Sequence, residues 1–125
     1  MNDNNFKNLR QLKPYEICPG LDGDKKGVIF NTSINPHTII AGPPGSGKTH
    51  TLHNIINNLL NKCNEDEIEL YIMQPEKFEF GLYEKYKQVK CCVTGDGNEI
   101  LNQLKNVEKE MYRKMELFQK MHENH

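Results

Sequence analysis

The stretch IIAGPPGSGKTHTLHNIINNLL, residues 39–60, decides the fold of this chain. It begins as an apolar, β-branched run, passes through a glycine-rich turn and continues with helical periodicity. The apolar positions of the last part recur at i, i+3, i+4, i+7 and i+8 from Leu52, which predicts a helix over residues 48–62 with one apolar face. Residues 37–42 before the turn are typical of a buried strand. We therefore expect a strand, a tight turn and a helix in succession.

The glycine-rich turn matches the phosphate-binding pattern G-x-x-x-x-G-K-[ST] over Gly42–Thr49. Glycines let consecutive N–H groups turn towards an anion, and the start of the following helix adds partial positive charge. Lys48 can reach the β- and γ-phosphates of a nucleotide, and the Thr49 hydroxyl can bind Mg²⁺. Because no N/T-K-x-D guanine-reading motif is found, ATP is the expected nucleotide. The predicted nucleotide-binding residues are Gly42, Pro43, Pro44, Gly45, Ser46, Gly47, Lys48, Thr49 and His50.

The overall composition limits the classes of protein to consider. The 125 residues are 36% hydrophobic and 26% charged, with a net charge of −1. A chain of this size can bury one core, and its charge balance gives no global reason to bind nucleic acid or membranes. No signal peptide or membrane-length apolar run is found, and the four cysteines lack zinc-ligand spacing. We expect a cytoplasmic protein with reduced thiols.

The sequence on either side of the turn alternates strand and helix patterns. Strands are predicted at Tyr15–Cys18, Val28–Asn31, 68–74 and 89–94, and a long amphipathic helix at 98–121. Residues 75–88 read as a short helix or loop, and the polar first dozen residues as a frayed or weakly helical lead-in. This alternation predicts an α/β fold with parallel strand pairing. We divide the chain into a lead-in and turn over residues 1–26 and a partial ATPase domain over 27–125.

Hydrolysis of a nucleotide needs more than a phosphate loop. An acidic residue at the end of a neighbouring strand must hold Mg²⁺ through water, and a carboxylate must orient the attacking water. The strand at 68–74 ends in Gln74, and Glu76 follows two residues later. Glu76 is thus a candidate for polarising water, and Lys48 is the candidate for stabilising transition-state charge. We expect the chain to bind nucleotide without completing hydrolysis on its own.

Several short pieces around the loop point to one family. They are Pro36-His37 before the loop strand, Pro75, Glu79 and Tyr83 after the next strand, and Glu110-Met111, Arg113-Lys114 and Leu117-Phe118 on the last helix. In their order and spacing they resemble the motor domain of FtsK/SpoIIIE-type DNA translocases from about residue 27 onward. Two positions depart from that pattern, since Gln74 replaces an expected Asp and Glu76 an expected Lys. The Pro43-Pro44 pair replaces the Thr-Thr that is commoner there.

The resemblance implies a P-loop NTPase, RecA-like core in which helices flank a mostly parallel sheet, present here in truncated form. It further implies ATP and Mg²⁺ as cofactors, double-stranded DNA as a partner, and homo-oligomeric rings of full-length proteins. The chain stops before the family's second acidic motif, which agrees with the expected lack of independent hydrolysis. Two alternatives stay open at this stage. One is a fragment of an AAA+ ATPase, where the Pro-Pro loop is commoner, and the other is a non-catalytic nucleotide-binding or interaction module.

Overall fold

The computed structural model describes residues 13, 16–21, 23–76 and 79–123. The predicted lead-in over residues 1–12 lies outside these ranges. The described residues form two compact units, one ending at Glu69 and the other beginning at Leu70. The first contains strands β1 (Glu16–Leu21) and β2 (Gly27–Asn31) and helix α1 (Lys48–Lys62), and the second contains β3 (Leu70–Gln74), a 3₁₀ turn (Gly81–Tyr83), β4 (Val89–Thr94) and α2 (Gly97–Glu123). The predicted boundary between residues 26 and 27 stays a prediction.

The first unit is an antiparallel hairpin with one helix packed on it. β1 and β2 pair with Ile17 opposite Phe30, and the register shifts once between Ile17 and Gly20. The Asn58 side chain on α1 donates a hydrogen bond of 3.1 Å to the backbone carbonyl of Cys18, which joins the helix to β1. The core between these elements is small, and its buried side chains are those of Ile17, Cys18, Leu60 and Cys63.

The second unit contains the parallel pairing that the sequence predicts. β3 and β4 run parallel, with Tyr71 opposite Cys91 and Gln74 opposite Thr94. The connection between them buries two aromatic rings, Phe80 and Tyr83, whose centroids lie 6.2 Å apart in a stacked arrangement. Parallel strands need a crossover connection rather than a tight turn, and residues 75–88 provide it.

Helix α2 begins at a side-chain cap. The Asp96 carboxylate accepts hydrogen bonds of 3.1 Å from the backbone N–H groups of Asn98 and Glu99, which satisfies two donors of the first turn. The helix continues to Glu123, slightly beyond the predicted end, and none of its residues is buried. Within the described part of the chain, no helix is both long and apolar enough to cross a membrane.

The prediction of a buried strand over residues 37–42 is wrong. That segment has no regular structure, and the Ile39 side chain is 92% exposed. A strand is stable only when a neighbouring strand pairs with its backbone N–H and C=O groups. Among the described residues, the two sheets contain only β1 with β2 and β3 with β4, and neither sheet pairs with this segment. The structure is therefore a small α/β fold with a two-stranded parallel sheet, and the mostly parallel core that the sequence predicts in truncated form is confirmed only in part.

Candidate nucleotide-binding site

The loop before α1 depends on two glycines in left-handed conformations. Gly45 has a φ of 79° and Gly47 a φ of 96°, and Gly47 is the residue that directly precedes the helix. Residues with a Cβ are strained in this region, because the Cβ approaches the following carbonyl oxygen. The two glycines thus let the chain reverse direction and enter α1 without strain.

The start of α1 is left open to a ligand. No side chain caps it, and its first turn contains no acidic residue. The first hydrogen bond of the helix runs from the N–H of Thr51 to the carbonyl of Gly47, at 3.0 Å. The backbone N–H groups that precede Thr51 have no helical partner, and the helix dipole adds partial positive charge at the same place. This end of the helix therefore suits an anion.

Lys48 folds back over the beginning of the loop. Its ammonium group donates a hydrogen bond of 2.6 Å to the carbonyl oxygen of Gly42, and its side chain is half-buried. Gly42 itself has little room, since a Cβ there would lie 2.5 Å from Ser46 Oγ and 3.3 Å from Ser46 Cβ. The structure thus brings Gly42, Ser46 and Lys48 together as one closely packed turn.

The two prolines determine where the donors of the loop begin. Pro43 and Pro44 have no N–H, so the run of backbone donors facing a ligand starts at Gly45. The Pro43 carbonyl accepts a hydrogen bond of 3.2 Å from the N–H of Ser46, which closes the turn. Proline also restricts φ, and a loop with fewer unbound conformations loses less entropy when it closes around a ligand.

Thr49 and His50 lie on the exposed side of the first helical turn. The Thr49 hydroxyl is accessible there, as a magnesium ligand must be. The described ranges contain no group of three or more His, Cys, Asp or Glu side chains that could hold a metal ion. The combination of a lysine, a hydroxyl and open N–H groups fits a polyphosphate that brings its own Mg²⁺, rather than a bare cation.

The acidic candidate and the glycine-rich loop belong to different compact units. Glu76 is exposed on the turn that follows β3, in the second compact unit, whereas Lys48 belongs to the first. The strand end is occupied by Gln74, whose Nε2 donates a hydrogen bond of 3.3 Å to the Glu79 carboxylate. The Oε1 atom of Gln74 is buried and has no hydrogen-bond partner among the described residues. Sequence reasoning missed this pairing, and its only signal was a polar residue at the end of an apolar strand.

A comparison with known protein families shows which family the chain belongs to. The model of the FtsK/SpoIIIE family matches residues 3–125. The chain belongs to this family. The predicted resemblance is thereby confirmed, and FtsK/SpoIIIE membership implies a P-loop NTPase fold and the use of ATP with Mg²⁺.

Individual relatives of the chain are much longer than it is. It is 32% identical over 105 residues to DNA translocase SftA of Bacillus subtilis (strain 168), which covers 84% of this chain and 11% of SftA. It is 31% identical over 108 residues to DNA translocase FtsK of Pseudomonas syringae pv. tomato, covering 86% of the chain and 14% of that protein. With FtsK of Listeria monocytogenes the identity is 28% over 116 residues, covering 93% and 15%. The chain thus spans a small part of the length of these translocases.

Proposed function

We propose that this chain is the Mg-ATP-binding module of an FtsK/SpoIIIE-type DNA translocase. The observation that supports this most is the arrangement of the loop at the start of α1. Gly47 turns the chain into an uncapped helix, and Lys48 places a cation beside the same turn. An anion at this place receives backbone donors, the helix dipole and a side-chain charge together.

Each part of the loop has a distinct role towards the nucleotide. Bound ATP supplies a phosphoanhydride bond, and its Mg²⁺ neutralises charge on the β- and γ-phosphates. The backbone N–H groups of Gly45 and Gly47–Thr49 would hold phosphate oxygens, and Lys48 would add a mobile positive charge. The Thr49 hydroxyl would be the protein ligand to Mg²⁺. His50, the last predicted nucleotide-binding residue, follows on the exposed face of the same turn.

We further propose that the chain alone does not hydrolyse ATP. A neutral Gln74 ends β3 where a carboxylate would be needed to hold Mg²⁺ through water, and Glu76 is exposed on the next turn. Steady-state phosphate release by the purified chain should not exceed that of Lys48→Ala. Turnover that Lys48→Ala abolishes would show that a carboxylate of this chain completes the site.

A second candidate function follows from the same strand end. Because the amide of Gln74 carries no charge, the second candidate is a non-catalytic nucleotide-binding module whose partner surface responds to ATP. Replacing Gln74 by Asp or Glu separates the two proposals. Under the translocase proposal the acidic variant binds Mg-ATP with altered Mg²⁺ dependence. Under the non-catalytic proposal the Mg²⁺ dependence stays as in the parent chain.

DNA and location are proposals that rest on the relatives, which are named as DNA translocases. Since they act on DNA, we place this chain in the cytoplasm, with duplex DNA as the partner of the full motor. The chain's own net charge is −1, so it lacks an overall electrostatic attraction to phosphate backbones. Fluorescence anisotropy with a labelled duplex should show weak, salt-sensitive binding by this chain alone.

The nucleotide proposal is tested by thermal unfolding with and without Mg-ATP. At a hundredfold over its Kd, ATP should add about 2.7 kcal/mol to the free energy of unfolding. For a domain of this size we expect the melting temperature to rise by roughly 5 to 15 °C. The Lys48→Ala variant should lose this shift.

The control for that experiment removes one lysine charge elsewhere. Lys105 is exposed on α2, and the Lys105→Ala variant should keep the full shift with Mg-ATP. An absent shift in the parent chain, or an equal shift in Lys48→Ala, would refute nucleotide binding by this loop. Comparison with Mg-GTP then tests the expected preference for ATP.

A further inference from the structure

Helix α1 depends on contacts outside itself to stay helical. Eight of its 15 residues are Asn, Thr or His, which favour a helix less than Ala, Leu or Lys do. Even Ala-rich helices of about this length are marginal in water when nothing packs on them. In the first unit α1 packs against β1, and Leu60 is buried in the core between them. The helix that begins at the candidate nucleotide site is therefore stabilised by the β1–β2 hairpin.

The hairpin and α1 are also joined by hydrogen bonds from helix side chains to backbone carbonyls. Asn58 Nδ2 donates a bond of 3.1 Å to the carbonyl of Cys18 on β1. One helical turn later, Lys62 Nζ donates a bond of 2.9 Å to the carbonyl of Lys13, ahead of β1. Both donors lie in the C-terminal half of α1, whereas the candidate phosphate site lies at its other end. The helix is thus held at one end and open to a ligand at the other.

The contact made by Asn58 falls at an irregularity of the hairpin. The register of β1 shifts at Cys18 and Pro19, where two residues of β1 face one residue of β2. Pro19 has no N–H to donate to β2, and a bulge of this kind disrupts the ladder locally. Asn58 therefore attaches α1 to the hairpin at the point where the hairpin's own hydrogen bonding is interrupted.

We propose that the β1–β2 hairpin controls nucleotide binding by holding α1 helical, with Asn58 as the positioning residue of this contact. Helix formation is cooperative, so anchoring the second half of α1 also favours an ordered first turn. That turn contains Lys48 and the backbone N–H groups that would meet the phosphates. Asn58 lies about 15 Å along the helix from Lys48, too far to touch a phosphate held there. The inference rests on the nucleotide binding proposed above.

Titration of Asn58→Asp and Asn57→Asp with Mg-ATP tests this control. Both substitutions add one negative charge to α1, but Asn57 is exposed, whereas Asn58 donates to the hairpin. An aspartate carboxylate has no N–H to donate. Because apparent affinity falls with the binding-competent fraction, Asn58→Asp should bind Mg-ATP at least about threefold more weakly than Asn57→Asp. Asn58→Gln, which keeps a donor, should bind within about twofold of the parent chain.

Amide hydrogen exchange without nucleotide tests the structural part separately. The N–H of Thr51 bonds to the Gly47 carbonyl and reports on the first turn of α1. It should exchange at least about threefold faster in Asn58→Asp than in Asn57→Asp, while the amides of β4 keep their rates. Because coupling is reciprocal, saturating Mg-ATP should slow exchange of the β1 and β2 amides in the parent chain.

The outcomes separate this inference from nucleotide binding itself. Equal affinities of Asn58→Asp and Asn57→Asp for Mg-ATP would overturn the proposal, and so would equal exchange of Thr51 or equal acceleration in β4. A parent chain that binds no Mg-ATP would refute nucleotide binding and its control by the hairpin together. Faster exchange of Thr51 in Asn58→Asp would then still show that the hairpin holds the helix. If Asn58→Asp does not fold, Asn58→Ala and Asn57→Ala give the same comparison without a new charge.

Discussion

The ammonium group of Lys48 donates a hydrogen bond of 2.6 Å to the carbonyl oxygen of Gly42. The lysine of the loop motif is therefore held by the first residue of the same motif. A phosphate oxygen is a stronger acceptor for the ammonium than a neutral carbonyl, because its negative charge adds Coulomb attraction. Under the nucleotide proposal, we expect Lys48 to exchange the carbonyl for a phosphate oxygen.

In Lys48→Ala, we expect a small loss of stability without nucleotide and a complete loss of the stabilisation by Mg-ATP. Without nucleotide, the variant should lose about 1 to 2 kcal/mol of unfolding free energy at most, because it loses one half-buried hydrogen bond. With saturating Mg-ATP, the gap between parent and variant should widen by the full binding increment. Urea unfolding in both conditions measures the two quantities. A large loss without nucleotide would instead make Lys48 a structural residue.

A methyl group at Gly42 should damage the loop through Ser46. Gly42→Ala brings a Cβ within 2.5 Å of Ser46 Oγ, so the turn must shift and the affinity for Mg-ATP should fall about tenfold or more. The double variant Gly42→Ala/Ser46→Gly removes the opposing side chain and should recover part of the affinity. Gly20→Ala is the control, because a Cβ there meets nothing within 4 Å. Titration of each variant with Mg-ATP measures these affinities. A double variant that bound more weakly than Gly42→Ala would contradict the prediction.

Position 47 should tolerate asparagine better than alanine, because Gly47 has a left-handed backbone conformation. At a φ of 96°, Gly47→Ala should cost about 1 to 2 kcal/mol of unfolding free energy, whereas Gly47→Asn should cost less, because asparagine tolerates this region better. Gly97→Ala should not destabilise the chain, since Gly97 is a helical residue with open space around it. Chemical unfolding compares all three. Equal losses at Gly47 for both substitutions would contradict a conformational cause.

The cap of α2 predicts a local loss of helix stability in Asp96→Ala. Two backbone donors of the first turn lose their acceptor, and the expected cost is about 0.5 to 2 kcal/mol. Asp96→Ser retains a capping oxygen and should lose less. Amide hydrogen exchange should show faster exchange at Asn98 and Glu99 in Asp96→Ala, and unchanged rates in those two residues would contradict the capping role.

Desolvation of three thiols predicts that the chain loses stability at alkaline pH. Desolvation raises the pKa of Cys63, Cys91 and Cys92 above the usual 9.0. The folded state then holds these protons to higher pH than the unfolded state, so stability should be complete below pH 9 and fall as the pH rises above it. Lys62, whose pKa is lowered by desolvation from 10.5, acts in the opposite direction, because stability rises with pH between its lowered pKa and 10.5.

Replacing one of these thiols should reduce the pH dependence. In Cys92→Ser the unfolding free energy should change less between pH 8 and 10 than in the parent chain, whatever its value at pH 8. Cys63 is buried, whereas Cys91 and Cys92 are half-buried, so Cys63 should be alkylated slowly by iodoacetamide in the folded chain at neutral pH and rapidly after unfolding. Equal rates in both states would contradict the raised pKa values.

The local parts of the fold could be predicted because their signals lie within a few residues. Helix α1 occupies residues 48–62 and β4 residues 89–94, as the apolar periodicity and the turn residues predicted. The left-handed positions in the loop coincide with Gly45 and Gly47, where the motif requires glycine. The segment before the loop was mispredicted for the opposite reason, since a strand depends on partners that are distant in sequence.

What the sequence by itself determined is the glycine-rich loop motif, the helix that follows it and the family of the chain, because each depends on residue types at defined spacings. Only the tertiary structure decided that Lys48 is held by the Gly42 carbonyl, that Gln74 pairs with Glu79, and that the apolar side chains of α2 are exposed. These three relationships depend on where side chains point after the chain has packed. Burial and hydrogen-bond geometry are properties of the folded chain, and no local pattern of residues specifies them.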